Sequence, residues 1–405
     1  MKKLFLVLLA VLLAFTAGMS CTDKNLVTEI NRSFARGASA AREETPAAQP
    51  TESAPADEVD YDAIYALHEP DEIVMTIDGR EVCWEDYFYA YSNAAKSLES
   101  QFQTYQAYGV ALGWNSQADE EGHTYAELFG SKVEMYLRRF ATIDSVAEEN
   151  GVALNEEEEE AVQEIHRETI AGLVGEDGTE EQLFEMLSEQ HLRPEMYWKL
   201  IRYEATQHAI YRQLFGENDE LVTDQQVLDW MKENGIVSAD HILISTKDPE
   251  TSQSLDEAGM AEKAALAQQL AEELRAIEDP AEREARFLEL KAEYGEDPGA
   301  AEGGYVFGQG VMDEAFYQGA LALEEGQVSE PVQTRYGYHI LLRHPLQGED
   351  MIFTGSGKQS AKSLLAGELF NQKMQERYEA QRVEYVPDFE APGILDFKSG
   401  SQADK

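Results

Sequence analysis

The sequence predicts an α+β protein in which a small, mostly antiparallel sheet domain is set between mainly helical segments. Two observations support this fold class. Residues 61–235 and 347–390 carry apolar side chains mainly at helical spacing, whereas residues 236–346 alternate short β-rich runs with helical stretches. Of the 405 residues, 43% are hydrophobic, which is enough to build packed cores. A wholly disordered chain is therefore excluded.

The charge balance excludes several classes of partner. Asp and Glu total 78 against 32 Lys and Arg, which gives a formal net charge of −46. A surface of this sign repels phosphate backbones, so we expect no nucleic-acid binding. The chain has only two cysteines, too few for a disulfide framework or a cysteine-rich zinc site. We expect neither a metal nor a cofactor.

Residues 1–21 have the layout of an export signal. Two lysines precede an apolar run over residues 4–15, which is too short to span a membrane comfortably. Cys21 follows small residues, as in a bacterial lipoprotein signal whose cysteine thiol is acylated, and ordinary cleavage near Ser20 is the alternative. The sequence thus predicts an exported lipoprotein on the extracytoplasmic side of the cell membrane. A secreted or periplasmic protein is the alternative.

The rest of the chain divides into a tether and a folded body. Residues 22–60 are predicted to be a disordered linker, because prolines stand there among small and polar residues. The body is predicted to contain a helical domain over 61–235, an α+β domain over 236–346, a helix within 347–390 that packs back onto the helical domain, and a flexible tail over 391–405.

The helical domain is expected to open with a β-hairpin. Asp78 and Gly79 lie between two β-rich runs, 73–77 and 80–82, and Asp-Gly is typical of a two-residue hairpin turn. Cys83, which follows the second run, is expected to be a small buried apolar residue.

Three further features of this domain predict helix starts. Pro194 suits the first position of a helix, and Thr223 suits an N-cap. The acidic run over 156–160 is interpreted as a solvated helix start, where anions suit the helix dipole, with a cation site as the less favoured alternative.

The α+β domain is predicted to have the order strand, helix, strand, helix, strand, strand. Its first helical stretch is expected to break at Pro280. The predicted elements are a strand over 239–244, helices over 255–294, a strand over 305–307, a helix over 313–323 and strands over 328–334 and 338–343.

Five strings run through this domain in order: ADHILI at 239–244, YGEDPG at 294–299, GGYVFGQGVM at 303–312, DEAFYQGALAL at 313–323 and GQVSEPVQTRYGYHILLR at 326–343. Together they resemble the parvulin-type (rotamase) family of peptidyl-prolyl cis-trans isomerases over the whole segment. The flanking helical segments look like the PrsA/SurA group of extracytoplasmic foldases. These place a helical chaperone domain before the isomerase domain and return a helix after it.

The resemblance implies a set of polar site residues. His241 and His339 match the family's paired histidines, which lie on adjacent strands and can share a hydrogen bond. Thr334 matches the threonine that supports them. Asp297 matches a Cys or Asp near the substrate carbonyl, although before Pro298 it is also a good turn former. A single strand histidine is more often a core residue, and the presence of two at matching positions favours the site.

The resemblance also implies an apolar slot for the proline ring. Met312 and Phe316 match this slot, and Val306 is expected to line it. Tyr336 takes a position that varies in the family, and we include it as a substrate contact. Without the resemblance, Met312 and Phe316 would be interpreted as core residues.

Two hypotheses of function follow. An X–Pro bond rotates over a barrier of about 18–20 kcal/mol, and no bond is broken, so a catalyst needs an apolar slot and polar groups beside the carbonyl. The first hypothesis is a peptidyl-prolyl isomerase (EC 5.2.1.8) and chaperone that helps exported proteins to fold. Its partners would be unfolded or partly folded clients with X–Pro bonds. The second is a client-binding chaperone with a catalytically inactive parvulin domain. The clients and the oligomeric state are not decided by the sequence.

Overall fold

The computed structural model describes residues 59–299, 301, 303–354 and 357–397. The predicted export signal, Cys21 and nearly all of the predicted linker lie outside the described residues. The described residues form two compact units, the first from those up to Leu214 and those from Leu369 to Phe397, the second from those within Phe215–Glu368. Among the described helices, none has both the length and the apolar content needed to cross a membrane.

The described elements in chain order are α1 (Tyr61–Tyr65), β1 (Ile73–Ile77), β2 (Arg80–Cys83), α2 (Trp84–Ala107), α3 (Tyr125–Glu149), α4 (Glu156–Leu173), α5 (Glu180–Ser188), α6 (Pro194–Phe215), α7 (Asp224–Glu233), β3 (Val237–Ser245), α8 (Glu257–Arg275), α9 (Pro280–Tyr294), β4 (Tyr305–Phe307), α10 (Glu314–Leu321), β5 (Val332–Gln333), β6 (Gly337–His344), β7 (Met351–Thr354), β8 (Gly357–Ser360), α11 (Ala361–Glu379), β9 (Val383–Tyr385) and a 3₁₀ turn (Ile394–Phe397). This mixture of helices and a mostly antiparallel sheet confirms the predicted α+β class.

The predicted hairpin is present in the first unit. β1 and β2 pair antiparallel, and the turn residues Asp78 and Gly79 have φ angles of 53° and 77°. Both angles lie in the left-handed region that a two-residue hairpin turn with the matching twist requires. Cys83 is buried, as expected. β9 pairs with the other edge of β1, so the sheet order is β2-β1-β9.

The predicted helix starts are also present. α4 begins at Glu156, directly after the N-cap Asn155, and α6 begins at Pro194. Thr223 caps α7, since its side chain accepts a hydrogen bond from the backbone N–H of Gln226. The acidic run therefore begins a helix, where negative charge stabilises the N-terminus.

Aromatic side chains dominate the core of the first unit. Trp84, Phe88 and Tyr91 on α2 are buried, and the ring of Tyr91 meets that of Phe129 edge-on at 4.7 Å between centroids. Residues near the end of the chain pack within the same unit. The guanidinium of Arg138, for example, lies 4.0 Å from the ring centroid of Tyr378.

The second unit is built on a six-stranded sheet with the order β5-β6-β3-β4-β7-β8. β3 is a central strand, paired antiparallel with β6 and β4, while β4 and β7 pair in parallel. Buried apolar residues of α8 and α9 cover one face of β3 and β6, and α10 covers the other. The break predicted at Pro280 is correct, since this residue begins α9 behind the N-cap Asp279.

Two predictions for this region were wrong. The strand expected over 328–334 is reduced to β5 and an isolated bridge between Val328 and Leu342. Pro331 between them has no N–H to donate to a strand ladder. Residues 347–390 were expected to contribute a helix alone, but β7 and β8 form a hairpin at the edge of the sheet before α11 begins. The parallel pairing of β7 with β4 is a long-range contact that the local sequence pattern does not reveal.

Candidate functional site

β3 and β6 bring the two predicted histidines together. In the antiparallel register His241 lies opposite Leu341, and His339 lies opposite Leu243, so the histidines are diagonal neighbours on one face of the sheet. Their ring centroids are 5.1 Å apart, and both side chains are buried. Sequence reasoning placed them on adjacent strands, and the register accounts for their contact.

The expected hydrogen bond between the two imidazoles is not formed. Nδ1 of His241 and Nδ1 of His339 are both buried and have no hydrogen-bond partner among the described residues. The ring planes are inclined by 54° to each other at a centroid separation of 5.1 Å.

Asp297 contacts His241 from the loop that follows α9. Its Oδ2 lies 3.1 Å from Nε2 of His241, close enough for an ion pair although this nitrogen makes no well-aligned hydrogen bond among the described residues, while its Oδ1 accepts a hydrogen bond from the backbone N–H of Gly299 at 2.8 Å. The two interpretations given for Asp297, turn former and site residue, therefore apply to different oxygens of one carboxylate.

Thr334 fixes the ring of His339. The Thr334 hydroxyl oxygen accepts from the backbone N–H of Tyr336 at 3.1 Å and lies 2.9 Å from Nε2 of His339. When the hydroxyl donates its own proton to Nε2, the Tyr336 N–H, the Thr334 hydroxyl and Nε2 are all hydrogen-bonded. A neutral His339 then carries its proton on Nδ1. This tautomer is inferred from the hydrogen-bond pattern.

Burial keeps both imidazoles neutral at neutral pH. The pKa of His339 falls from its usual 6.5 to about 4, mainly because of desolvation and also because of the neighbouring His241. Desolvation also lowers the pKa of His241, although Asp297 and Asp240 act in the opposite direction. Each ring is thus available as one hydrogen-bond donor and one acceptor.

An apolar wall faces the histidines. Phe316 on α10 meets the ring of His241 at 5.3 Å and that of His339 at 5.2 Å, nearly edge-on in both cases. Met312 precedes the helix N-cap and belongs to the same apolar cluster. These groups enclose one side of a cavity of about 560 Å³.

The structure gathers the predicted site residues around this cavity, with one exception. Those that line it are His241, Asp297, Met312, Phe316, Thr334, Tyr336 and His339. Val306 does not line it, because side chains alternate along β4 and its neighbours Tyr305 and Phe307 occupy the face toward the site. The prediction for Val306 was one residue out of register.

Sequence reasoning missed several residues of the cavity wall, including Leu243, Ser245, Lys247 and Tyr305. Tyr305 also donates from its hydroxyl to the carbonyl of Gly299 at 2.7 Å and so braces the loop that carries Asp297. For Leu243 the signal was present, since it lies two residues after His241 and must share its face of the strand.

One group of potential metal ligands occurs among the described residues. Ligand atoms of Asp119, Glu121 and His123 lie within 4.8 Å of one another in an exposed loop of the first unit. Nδ1 of His123 is already 2.7 Å from Oδ2 of Asp119, so this imidazole is paired without an ion.

The sequence of the second unit matches a known domain family. Residues 241–345 match the rotamase family, described as the PPIC-type PPIase domain. This confirms the resemblance to the parvulin-type isomerases: the chain carries a rotamase domain of the PPIC type.

Several relatives carry foldase or isomerase names. The foldase protein PrsA of Bacillus subtilis is 29% identical over 157 residues, which cover 38% of this chain and 46% of that protein. PrsA of a Geobacillus strain is 35% identical over 136 residues, covering 33% and 41%. The putative peptidyl-prolyl cis-trans isomerase Cbf2 of Campylobacter jejuni is 31% identical over 157 residues, covering 37% and 51%. The chain spans about half the length of these curated relatives or less.

Solved structures of similarly named proteins align with this chain at low overall similarity. The crystal structure of PrsA from Bacillus subtilis aligns with 77% of this chain and 91% of its own, at 19% identity and a TM-score of 0.22. A SurA-like chaperone structure from Campylobacter jejuni aligns with 52% of this chain and 97% of its own, at 21% identity and a TM-score of 0.22.

Proposed function

We propose that this protein is a peptidyl-prolyl cis-trans isomerase (EC 5.2.1.8) and chaperone that assists the folding of exported proteins. The observation that carries the proposal is the cavity of the second unit. There a pair of buried neutral histidines and a carboxylate face an apolar wall. Such a cavity suits a proline ring flanked by a peptide bond. The match of residues 241–345 to the rotamase family supports the same conclusion.

Phe316 and Met312 would receive the proline ring. The planar X–Pro imide is more polar than the twisted transition state, which has lost its resonance. An apolar slot that excludes water therefore favours the twisted state. A rate of hundreds of turnovers per second would require a barrier about 7 kcal/mol lower than the uncatalysed one.

The polar groups would form a chain of hydrogen bonds beside the imide. Thr334 would donate to Nε2 of His339, which leaves the His339 proton on Nδ1. Asp297 beside Nε2 of His241 favours a proton on that nitrogen, which leaves Nδ1 of His241 as an acceptor. The two Nδ1 atoms are then a complementary donor and acceptor, and a rotation of either ring would join them. None of these site residues would act as a nucleophile; they would orient Asp297 and set the polarity beside the carbonyl.

The remaining parts of the chain would deliver clients to this site. We propose that Cys21 is lipidated and anchors the protein on the extracytoplasmic side of the membrane, with residues 22–60 as a tether. The helical first unit would bind unfolded or partly folded clients, as expected for the domain over 61–235 and the helix that follows the isomerase domain. The PrsA foldases among the relatives support this arrangement.

A protease-coupled isomerisation assay tests the proposal. The purified chain is assayed on a panel of peptides that differ in the residue before proline, beside the variants His241→Ala and Met312→Ala. We expect catalysis by the wild type and its loss in both variants. An absence of catalysis on every peptide, with suppression of client aggregation intact, would instead support a chaperone whose isomerase domain is inactive.

A further inference from the structure

Asp240 and Lys291 form a buried ion pair directly behind the histidines. Asp240 precedes His241 on β3 and is only 1% exposed, and Lys291 lies near the end of α9. Nζ of Lys291 donates to both carboxylate oxygens of Asp240, at 2.6 and 2.9 Å. Because neighbouring residues of a strand point to opposite faces, the pair lies on the side of β3 away from the cavity.

The same ammonium group reaches the loop that carries Asp297. Nζ of Lys291 also donates to the backbone carbonyl of Ala301 at 3.3 Å. Close by, the loop rests on the backbone of β3 at Gly304, whose φ is +83°. A Cβ at this position would lie 2.5 Å from the carbonyl oxygen of Ala239, so only glycine fits. Lys291 thus joins α9, the central strand and the far end of the loop.

The near end of the loop is held by separate contacts. The backbone N–H of Glu296 donates to the carbonyl of Leu243 at 2.9 Å, and its carboxylate accepts from the backbone N–H of Ser245 at 2.6 Å. Asp297 therefore lies between two anchors, one at Glu296 and one at Ala301, and at the second anchor the Tyr305 hydroxyl also accepts from the backbone N–H of Ala301 at 3.1 Å. Only the second depends on Lys291.

The two charges of the pair have opposite effects on the pKa of His241. Asp297, His339 and Tyr305 lie beside the ring of His241, and Asp240 and Lys291 act on it electrostatically from the other side of the strand. Burial lowers the pKa of His241, Asp240 raises it and Lys291 lowers it. The pair can therefore fix the loop with little net effect of its own on the charge state of the imidazole.

We propose that Asp240 and Lys291 are positioning residues of the isomerase site, which hold the loop between α9 and β4 so that Asp297 faces Nε2 of His241. This inference rests on the proposed function. It assigns a role in the reaction to two residues that do not line the cavity. The competing explanation is an ion pair that stabilises the fold alone.

The test compares Lys291→Met with the double variant Asp240→Asn/Lys291→Met. A misplacement of about 1 Å can lower a rate by roughly 100-fold, so we expect kcat to fall by about 10- to 100-fold in both, with KM little changed. We also expect the imidazole ¹⁵N resonance of His241 Nε2 to shift, because its contact with Asp297 changes. The double variant leaves no unpaired buried charge, so it decides the question if Lys291→Met fails to fold.

Arg286→Met is the matched control. Arg286 lies on the same helix and pairs with Glu273 and Glu289, away from the loop, so it should keep the wild-type kcat and His241 resonance. Wild-type kcat and an unshifted resonance in the double variant would overturn the proposal and leave a purely stabilising pair. If the wild type shows no isomerase activity, the proposed function fails, and the His241 resonance alone decides whether the pair positions Asp297.

Discussion

Buried histidines in the two units have opposite hydrogen-bonding states. In the helical unit, His166 is buried with Nδ1 2.8 Å from the hydroxyl of Tyr197 and Nε2 3.0 Å from a carboxylate oxygen of Glu180. In the sheet unit, His241 and His339 are equally buried, yet each leaves Nδ1 without a hydrogen-bond partner among the described residues.

The difference separates a structural histidine from a functional one. An unsatisfied buried polar atom destabilises the folded state by about 1–3 kcal/mol. Other buried atoms of this protein, such as Nε2 of His344, are also unpaired among the described residues, so an unpaired atom indicates function only where it lies beside a cavity. His166 is paired on both sides and has no open cavity of comparable size beside it among the described pockets. The unpaired atoms of His241 and His339 occur where the rings face a cavity. Burial and residue type alone would not have separated the structural His166 from the two histidines of the site.

The largest expected effect is a loss of catalysis, and it tests the functional histidines of this comparison. His241→Leu should lower kcat/KM by roughly 100-fold, because it removes a preorganised polar group beside the reacting bond. Stability should change little, since the substitution removes the 3.1 Å contact between Nε2 of His241 and Asp297 but no well-aligned hydrogen bond of the ring. Isomerisation kinetics together with urea unfolding measure both quantities. A variant with wild-type kcat/KM would contradict the role of His241.

His166→Phe should give the reverse result. The substitution leaves the Tyr197 hydroxyl without this partner, and we expect the free energy of unfolding to fall by about 1–2 kcal/mol. Isomerisation of a short peptide should be unchanged, because His166 lies in the other unit. A clear loss of kcat/KM with unchanged stability would contradict the assignment of His166 as a structural histidine.

Thr334→Val should produce a smaller loss within the site. Valine keeps the shape of threonine but removes the hydroxyl that orients His339, so we expect kcat/KM to fall by about tenfold. Imidazole ¹⁵N spectra should show a mixture of the two His339 tautomers in place of one. An unaltered spectrum would mean that Thr334 does not set the tautomer.

The last expected effect concerns pH and changes stability gradually over more than two pH units. The pKa of folded His339 is about 4, below its usual 6.5, so the unfolded chain binds more protons between these values. The free energy of unfolding should therefore fall as the pH drops from about 6.5 to about 4. The contribution of one such histidine is at most about 1.4 kcal/mol per pH unit. His339→Phe should reduce this slope in urea unfolding at several pH values, and an identical slope in the variant would contradict the shift.

Local sequence patterns predicted much of the second unit. The apolar runs, the break at Pro280 and the helix expected over 313–323 are short-range features, and each corresponds to an observed element or boundary. The hairpin β7–β8 was not predicted, because its place in the sheet depends on pairing with β4 far back in the chain. Val306 was misassigned for a related reason. The side of a three-residue strand that faces a site is fixed by register, and a one-residue error exchanges the two faces.

The amino-acid sequence alone was enough for the α+β class, the rotamase domain and the histidines, the threonine, the carboxylate and the apolar wall of its cavity, because these depend on local patterns and on ordered motifs, but about half of the cavity lining was not predicted. Only the tertiary structure decided which atoms are paired. It directed one oxygen of Asp297 to His241 and the other to its own turn, left two Nδ1 atoms unpaired, and placed the Asp240–Lys291 pair behind the site. These features depend on distances between residues far apart in the chain, which register and helix packing set and which no local pattern encodes.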